Sequence, residues 1–123
     1  MNNYLIYARK SSESEDRQML SLDSQLNELN KLKEKLNLNI LKTIQESKSA
    51  KNPNNRIGFN EMIKLIEEKK VNCILAWHPN RLSRNPNDSA KIVDLMDRGL
   101  LIQVLTPSQT FNNVPMDKFM LTF

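Results

Sequence analysis

The sequence has few of the residues on which several common functional classes depend. Its 123 residues include one cysteine, Cys73, and one histidine, His78, so neither a disulfide framework nor a zinc site of the usual Cys/His type can be assembled. The only glycines are Gly58 and Gly99, which excludes a glycine-rich phosphate-binding loop. We expect no metal ion and no cofactor, and we interpret Cys73 as a small buried apolar residue.

Long apolar runs are also absent. No stretch approaches the roughly 18 to 20 consecutive apolar residues that a membrane-spanning helix needs. The opening MNNYLIYARK has too short an apolar run, with its charges on the wrong side, for a secretion signal. The length and the 39% hydrophobic content suit one domain with one core. We therefore expect a cytoplasmic, single-domain protein without a membrane partner.

Apolar residues recur in patterns that predict alternating strands and helices. Continuous or alternating apolar runs predict four strands, at residues 4–8, 40–44, 73–77 and 101–105. Apolar residues three or four apart predict three helices between them, at residues 21–36 with Ser21 as N-cap, 58–69 and 85–98. This order predicts a three-layer α/β/α fold of flavodoxin-like arrangement, with a mostly parallel sheet of four or five strands and helices on both faces.

After the fourth predicted strand the sequence TPSQTFNNVP is irregular, and a further helix is predicted to begin at Pro115. A helix that stopped at Phe123 would bury little apolar surface by itself. We therefore expect it to continue or to pack on a partner.

Basic residues gather where a parallel sheet binds ligands, beyond the carboxyl ends of its strands. The segments after the first three predicted strands are 9–12, 45–56 and 78–84, and together they carry a net charge of +6, whereas all other residues carry −2. Their charged residues are Arg9, Lys10, Glu46, Lys48, Lys51, Arg56, Arg81 and Arg84. Arginine presents a planar fork that matches phosphate oxygens, so this edge is predicted to bind phosphate.

Ser11 and Ser12 come after Arg9 and Lys10 at the end of the first predicted strand, where a nucleophile would face the predicted arginine cluster. Serines at a strand end also form turns and caps, which is the alternative interpretation.

Four segments resemble, in order, the motifs of the serine site-specific recombinases, the resolvase and invertase family. YARKSS resembles Tyr-x-Arg-x-Ser, and SLDSQ resembles Ser-Leu-x-x-Gln. ESKSAKNPNNRIGF is similar to an acidic-x-x-Ser-Gly segment followed by Arg-x-Gly-Phe, and PNRLSRN is similar to Asp-Arg-Leu-x-Arg. The four motifs span most of the chain, and their common order makes the resemblance specific.

The resemblance implies that Ser11 attacks a DNA phosphodiester, which gives a covalent phosphoserine–DNA intermediate and a free 3′ hydroxyl. The other catalytic residues that it implies are Arg9, Gln25, Glu46, Arg56, Asn80, Arg81 and Arg84. Together with the basic edge it predicts DNA contacts from Arg9, Lys48, Lys51, Arg56, Arg81 and Arg84. The residue that accepts the proton of Ser11 stays open, with an adjacent guanidinium group or Glu46 as candidates.

The resemblance also implies a homodimer that pairs into a tetramer on DNA, through a long helix after the catalytic core. We expect residues 1–123 to be the catalytic domain, which ends where this helix begins, at about residue 115, and lacks the family's separate DNA-binding domain. Such a chain should bind DNA weakly, with strong salt dependence and almost no sequence preference, and should not complete recombination alone.

The sequence departs from the family pattern at several positions. Asn80 stands where aspartate is usual, Glu46 also replaces an aspartate, Ala50 replaces a glycine, and extra residues separate Ser11 from Gln25. Because the amide of Asn80 offers no negative charge and no proton acceptor, an attenuated or inactive DNA-binding relative is the first alternative. A flavodoxin-like phosphotransfer protein is the second, although the sequence lacks the glycine-rich loop and acidic pocket that it would need.

Overall fold

A computed structural model of the chain describes residues 2–9, 22–46, 57–82 and 85–122, apart from the side chains of Asn80 and Arg81. Within these ranges five strands and five helices follow one another. They are β1 (Tyr4–Arg9), α1 (Leu22–Leu36), β2 (Ile40–Glu46), α2 (Ile57–Glu67), β3 (Cys73–Ala76), α3 (Pro79–Leu82), α4 (Pro86–Asp97), β4 (Gln103–Leu105), β5 (Thr110–Asn112) and α5 (Pro115–Leu121).

The strands form one sheet in the order β2-β1-β3-β4-β5. The first four strands in this order are parallel, and β5 runs antiparallel to β4. All six residues of β1 are buried, as are all four of β3, because both strands lie inside the sheet with helices over them. The predicted mostly parallel α/β fold is confirmed.

One face of the sheet is covered by α1. Tyr4 and Ile6 of β1 and Leu75 of β3 lie on this face, where they pack with the fully buried Leu29 of α1. Leu29 belongs to the leucine stripe from which the helix was predicted, and the charged residues between these leucines lie mostly exposed.

The opposite face is covered by α2, α4 and α5. Leu5 and Tyr7 of β1 point to this face, since successive strand residues alternate between faces. They pack in one cluster with Phe59 of α2, Ile92 of α4 and Leu121 of α5. The predicted three layers are therefore present, with one helix on one side and three on the other.

The strands differ from prediction at their ends. β4 begins at Gln103 rather than at residue 101, because the N–H of Leu101 donates to Leu95 O at 3.2 Å and closes the end of α4 instead of joining the ladder. The irregular segment after β4 contains the short strand β5, which a turn from Thr106 to Gln109 folds back. A strand of three residues is too short to show a periodic pattern.

The helices also differ in detail. α2 ends at Glu67 instead of residue 69, because Lys69 adopts the left-handed region with φ of 63° and Lys70 N bonds back to Leu65 O. The segment after β3, predicted as a loop, contains the one-turn helix α3. Ser21, the predicted N-cap of α1, lies outside the described residues. No helix in the described part of the chain is both long and apolar enough to cross a membrane.

Candidate functional site

The carboxyl ends of β1, β2 and β3 meet at one edge of the sheet, because these strands are parallel neighbours. Arg9, the last residue of β1, is paired in the ladder with Glu46, the last residue of β2. Helix α3 follows β3 after two residues and packs against β1 and β3. The three segments predicted to carry the site therefore start from the same edge.

Arg9 is 4% exposed at this edge. A guanidinium group held in a poorly solvated position interacts more strongly with a phosphate than one in open water. The backbone carbonyl of Arg9 accepts a hydrogen bond of 3.3 Å from Nε2 of Gln25. Gln25 is a buried residue on α1, so this hydrogen bond joins the first helix to the end of β1.

Glu46 binds three donors from two neighbouring elements. Its Oε1 accepts hydrogen bonds from the hydroxyl of Tyr7 on β1 and, at 3.0 Å, from the N–H of Phe59. Its Oε2 accepts one from the N–H of Gly58 at 3.0 Å. Gly58 and Phe59 lie in the first turn of α2, where N–H groups lack partners within the helix and a negative charge is stabilising.

The contact between Tyr7 and Glu46 is one that the sequence reasoning did not predict. Tyr7 lies in an apolar strand and is the tyrosine of the YARKSS segment, and a buried tyrosine hydroxyl normally requires a hydrogen-bond partner. Its position two residues before Arg9 on the same strand was the signal available.

Gly58 allows the close approach of α2 to the end of β2. A Cβ atom at this position would lie 2.5 Å from Cγ of Glu46 and 2.7 Å from Cγ2 of Ile44, distances that side chains do not tolerate. The glycine of the Arg-x-Gly-Phe segment is therefore required by packing against Glu46.

The third segment is anchored by α3 and α4. Leu82 of α3 is buried, and the backbone of Asn80 and Arg81 forms part of α3, while their side chains lie outside the described atoms. Asn85 caps α4, where its Oδ1 accepts the N–H of Asp88 at 2.9 Å. Asp88 is buried in the first turn of α4, a second polar residue near this edge that the sequence reasoning did not select.

Most of the predicted charged and nucleophilic residues fall outside the described part of the chain. Those are Lys10, Ser11, Ser12, Lys48, Lys51, Arg56 and Arg84. The residues that border these segments in the chain are described, namely Arg9, Glu46, Ile57 and Asn85. The points at which the segments join the strands and helices are therefore known. His78 is exposed directly before α3.

Cys73 lies at the opposite end of the sheet. It begins β3, is fully buried, and burial raises the pKa of its thiol to about 11. Such a thiol is neutral near pH 7 and a poor nucleophile. Among the described residues no group of three or more histidine, cysteine, aspartate or glutamate side chains is placed to hold a metal ion.

Comparisons with known proteins agree with this fold. A family model described as "Resolvase, N terminal domain" matches residues 4–123. No curated protein matches the chain at a significant level. The fold is similar to several solved serine recombinase domains.

Three of these structures indicate the extent of the similarity. A resolvase family site-specific recombinase from Streptococcus pneumoniae superposes with a TM-score of 0.75 at 18% identity, over 99% of this chain and 84% of that one. The N-terminal catalytic domain of TP901-1 integrase gives 0.70 at 20% identity, over 98% and 89%. The C-terminal catalytic domain of ISC1926 TnpA, an IS607-like serine recombinase, gives 0.65 at 23% identity, over 85% and 69%.

Proposed function

Because the chain belongs to the family of the resolvase N-terminal domain, we propose that it performs site-specific DNA recombination with Ser11 as the nucleophile. The observation that carries this proposal is the placement of Arg9, buried at the carboxyl edge of the sheet, held there by Gln25, and two residues before Ser11.

In the proposed reaction the Oγ of Ser11 attacks a DNA phosphorus atom. The bond from Oγ to phosphorus forms as the bond to the 3′ oxygen breaks, so the 5′ end becomes a phosphoserine and the 3′ end a hydroxyl. The serine gives up its proton and the 3′ oxygen gains one. The reverse attack, by the 3′ hydroxyl of a new partner strand, releases Ser11. Each step exchanges one phosphodiester for another, so no ATP is required.

Charge that develops on the phosphoryl oxygens is proposed to be stabilised by a set of arginines. Arg9 is the described member of this set, and Arg56, Arg81 and Arg84 are proposed to complete it. Lys48 and Lys51 are proposed to bind neighbouring phosphates as point charges. The net charge of +6 on the three segments at this edge supports DNA as the partner.

Self-association is proposed to use α5. Val114, Met116, Phe119 and Met120 are exposed, while Leu121 of the same helix is buried against the core. Exposed apolar side chains gathered at one short helix are typical of an interaction surface. We propose a homodimer that pairs into a tetramer during strand exchange, in the cytoplasm.

Covalent trapping tests the proposal without knowledge of the target site. The protein is expressed in cells, DNA linked to it is recovered after denaturation in detergent, and the attached fragments are sequenced. We expect adducts that disappear in Ser11→Ala and persist in Ser12→Ala, which removes the neighbouring hydroxyl. Adducts that persist in Ser11→Ala would refute the assignment of the nucleophile.

A DNA-binding relative with little or no activity is the second candidate, because Asn80 replaces a carboxylate within the fourth motif. Asn80→Asp separates the two candidates. A large gain in adduct yield favours the attenuated protein, and an unchanged yield favours a working recombinase.

A further inference from the structure

We propose that Glu46 is a positioning residue: its carboxylate fixes the strand that leads to Ser11 against the helix that follows Arg56, and it does not accept the proton of Ser11. This inference rests on the proposed function, and it assigns Glu46 a role that the sequence alone left open.

Glu46 ties together the segments that carry the chemistry. Its Oε1 binds the hydroxyl of Tyr7, which lies on β1 four residues before Ser11. Its two oxygens also bind the N–H groups of Phe59 and Gly58, which follow Arg56 by three and two residues. One carboxylate at the end of β2 therefore links Tyr7 of β1 to the start of α2.

The same contacts hold both ends of the segment at residues 47–56. This segment leaves the sheet directly after Glu46 and enters α2 at Ile57, one residue before Gly58. It carries Lys48, Lys51 and Arg56. The described residues that flank this segment, Glu46 and Ile57, are therefore held close to each other by the contacts of the carboxylate with the first turn of α2.

The hydrogen bonds of the carboxylate disfavour its use as a base. Oε1 accepts two hydrogen bonds and Oε2 accepts one. A proton transferred from Ser11 would remove the negative charge that strengthens these bonds. The protonated carboxyl group would also place its own O–H near N–H donors at the start of α2, where a negatively charged acceptor is favoured.

Packing also limits how far the carboxylate can move. Glu46 is 9% exposed, and its Cγ lies 2.5 Å from the position that a Cβ at residue 58 would occupy. The first turn of α2 is therefore in close contact with the Glu46 side chain, as expected of a positioning residue.

The test combines two variants with one matched control. Glu46→Gln removes the charge at nearly constant size, and Tyr7→Phe removes a single hydroxyl from the same contact. Glu61→Gln is the control, because Glu61 lies on α2, is partly exposed and pairs only loosely with Lys42 at 3.8 Å. Two readouts are recorded: the pH dependence of the rate at which the protein forms its covalent DNA adduct, and amide hydrogen exchange at Gly58 and Phe59.

For Glu46→Gln we expect the adduct rate to fall about 10- to 100-fold at every pH, as for a misplaced nucleophile, with an unchanged shape of the pH profile. Exchange at both amides should become at least about tenfold faster, since their acceptor is weakened. Tyr7→Phe should show a smaller fall of the same kind, and the double variant should fall no further than Glu46→Gln, because both changes remove one contact. Glu61→Gln should leave both readouts unchanged.

Other outcomes would overturn the inference. An adduct rate in Glu46→Gln that becomes proportional to hydroxide concentration, with unchanged amide exchange, would identify Glu46 as the proton acceptor. An unchanged adduct rate would show that it positions nothing. Should Glu46→Gln fail to fold, Tyr7→Phe decides the question with the same two readouts. If the unaltered protein forms no adduct, the proposed function fails. Unchanged amide hydrogen exchange at Gly58 and Phe59 in Glu46→Gln would independently reject the contact between Glu46 and the start of α2.

Discussion

The N–H of Gly58 lies 3.0 Å from Oε2 of Glu46, and a Cβ atom at residue 58 would lie 2.5 Å from Cγ of the same glutamate. The start of α2 is thus held against the end of β2 by a charged hydrogen bond that only glycine leaves room for. This contact links the packing of α2 on β2 to the candidate site, because Glu46 and Gly58 flank the segment that carries Arg56.

Gly58→Ala should lower the free energy of unfolding by about 1 to 3 kcal/mol, since the added methyl group forces Glu46 and Ile44 apart. Urea unfolding followed by circular dichroism measures the change. Asn60→Ala, at an exposed position of the same helix, should change it by less than about 0.5 kcal/mol. Equal effects of the two substitutions would contradict the steric explanation.

Asn85→Ala should cost about 1 kcal/mol, because the substitution removes the side-chain acceptor of the Asp88 N–H at the start of α4. Asn85→Asp should retain most of the stability, since a carboxylate caps a helix equally well. Thermal unfolding compares the two variants. A loss of the same size in Asn85→Asp would show that the cap is not the source of the effect.

Stability should fall as the pH rises from about 9 to about 11, in part because of Cys73. Burial raises the pKa of this thiol from 9.0 to about 11 in the folded protein. In this interval the unfolded chain releases the thiol proton while the folded chain retains it, so alkali favours unfolding by up to roughly 1.4 kcal/mol per pH unit.

Cys73→Ala isolates this contribution. Between pH 8 and pH 10 the unaltered protein should lose about 1 kcal/mol more unfolding free energy than the variant, because the variant lacks both the thiol and the contact through which Cys73 raises the pKa of Tyr4. Identical losses would mean that the thiol ionises at the same pH in both states.

Replacement of the exposed apolar residues of α5 should weaken self-association. We expect the double variant Met116→Ser and Phe119→Ser to shift the protein toward the monomer in sedimentation experiments, with little change in thermal unfolding, because both side chains are more than half exposed. Leu41→Ser removes a comparably exposed apolar side chain from β2 and should leave association unchanged. The same shift in both proteins would exclude a specific role for α5.

DNA binding by the chain should be weak and strongly dependent on salt. Fluorescence anisotropy with a random-sequence duplex measures the slope of log affinity against log salt concentration. The magnitude of this slope should decrease by about one for each phosphate contact that a substitution removes. Lys48→Ala and Lys51→Ala should each reduce the slope, whereas Lys31→Ala, at an exposed position of α1 next to Glu28, should not. Tight, sequence-specific binding at physiological salt would refute this prediction.

The sheet and its main helices were predictable because their signals are local. The apolar run of β1 and the leucine stripe around Leu29 depend only on residues near them in the chain. Strand β5 and the late start of β4 were not predictable, since β5 is too short to show a periodic pattern and the start of β4 depends on the hydrogen bond that Leu101 donates to Leu95 O.

The sequence by itself determined the alternation of strands and helices, the basic edge, and the ordered motifs that place Ser11 beside Arg9. Those features depend only on residue types and on their spacing along the chain. Only the tertiary structure decided which groups Glu46 contacts, because its partners come from β1 and from the start of α2, 39 and 12 to 13 residues away. A carboxylate can act as a proton acceptor or as a positioning residue. The hydrogen-bond donors that surround it after folding decide which of these two roles is favoured.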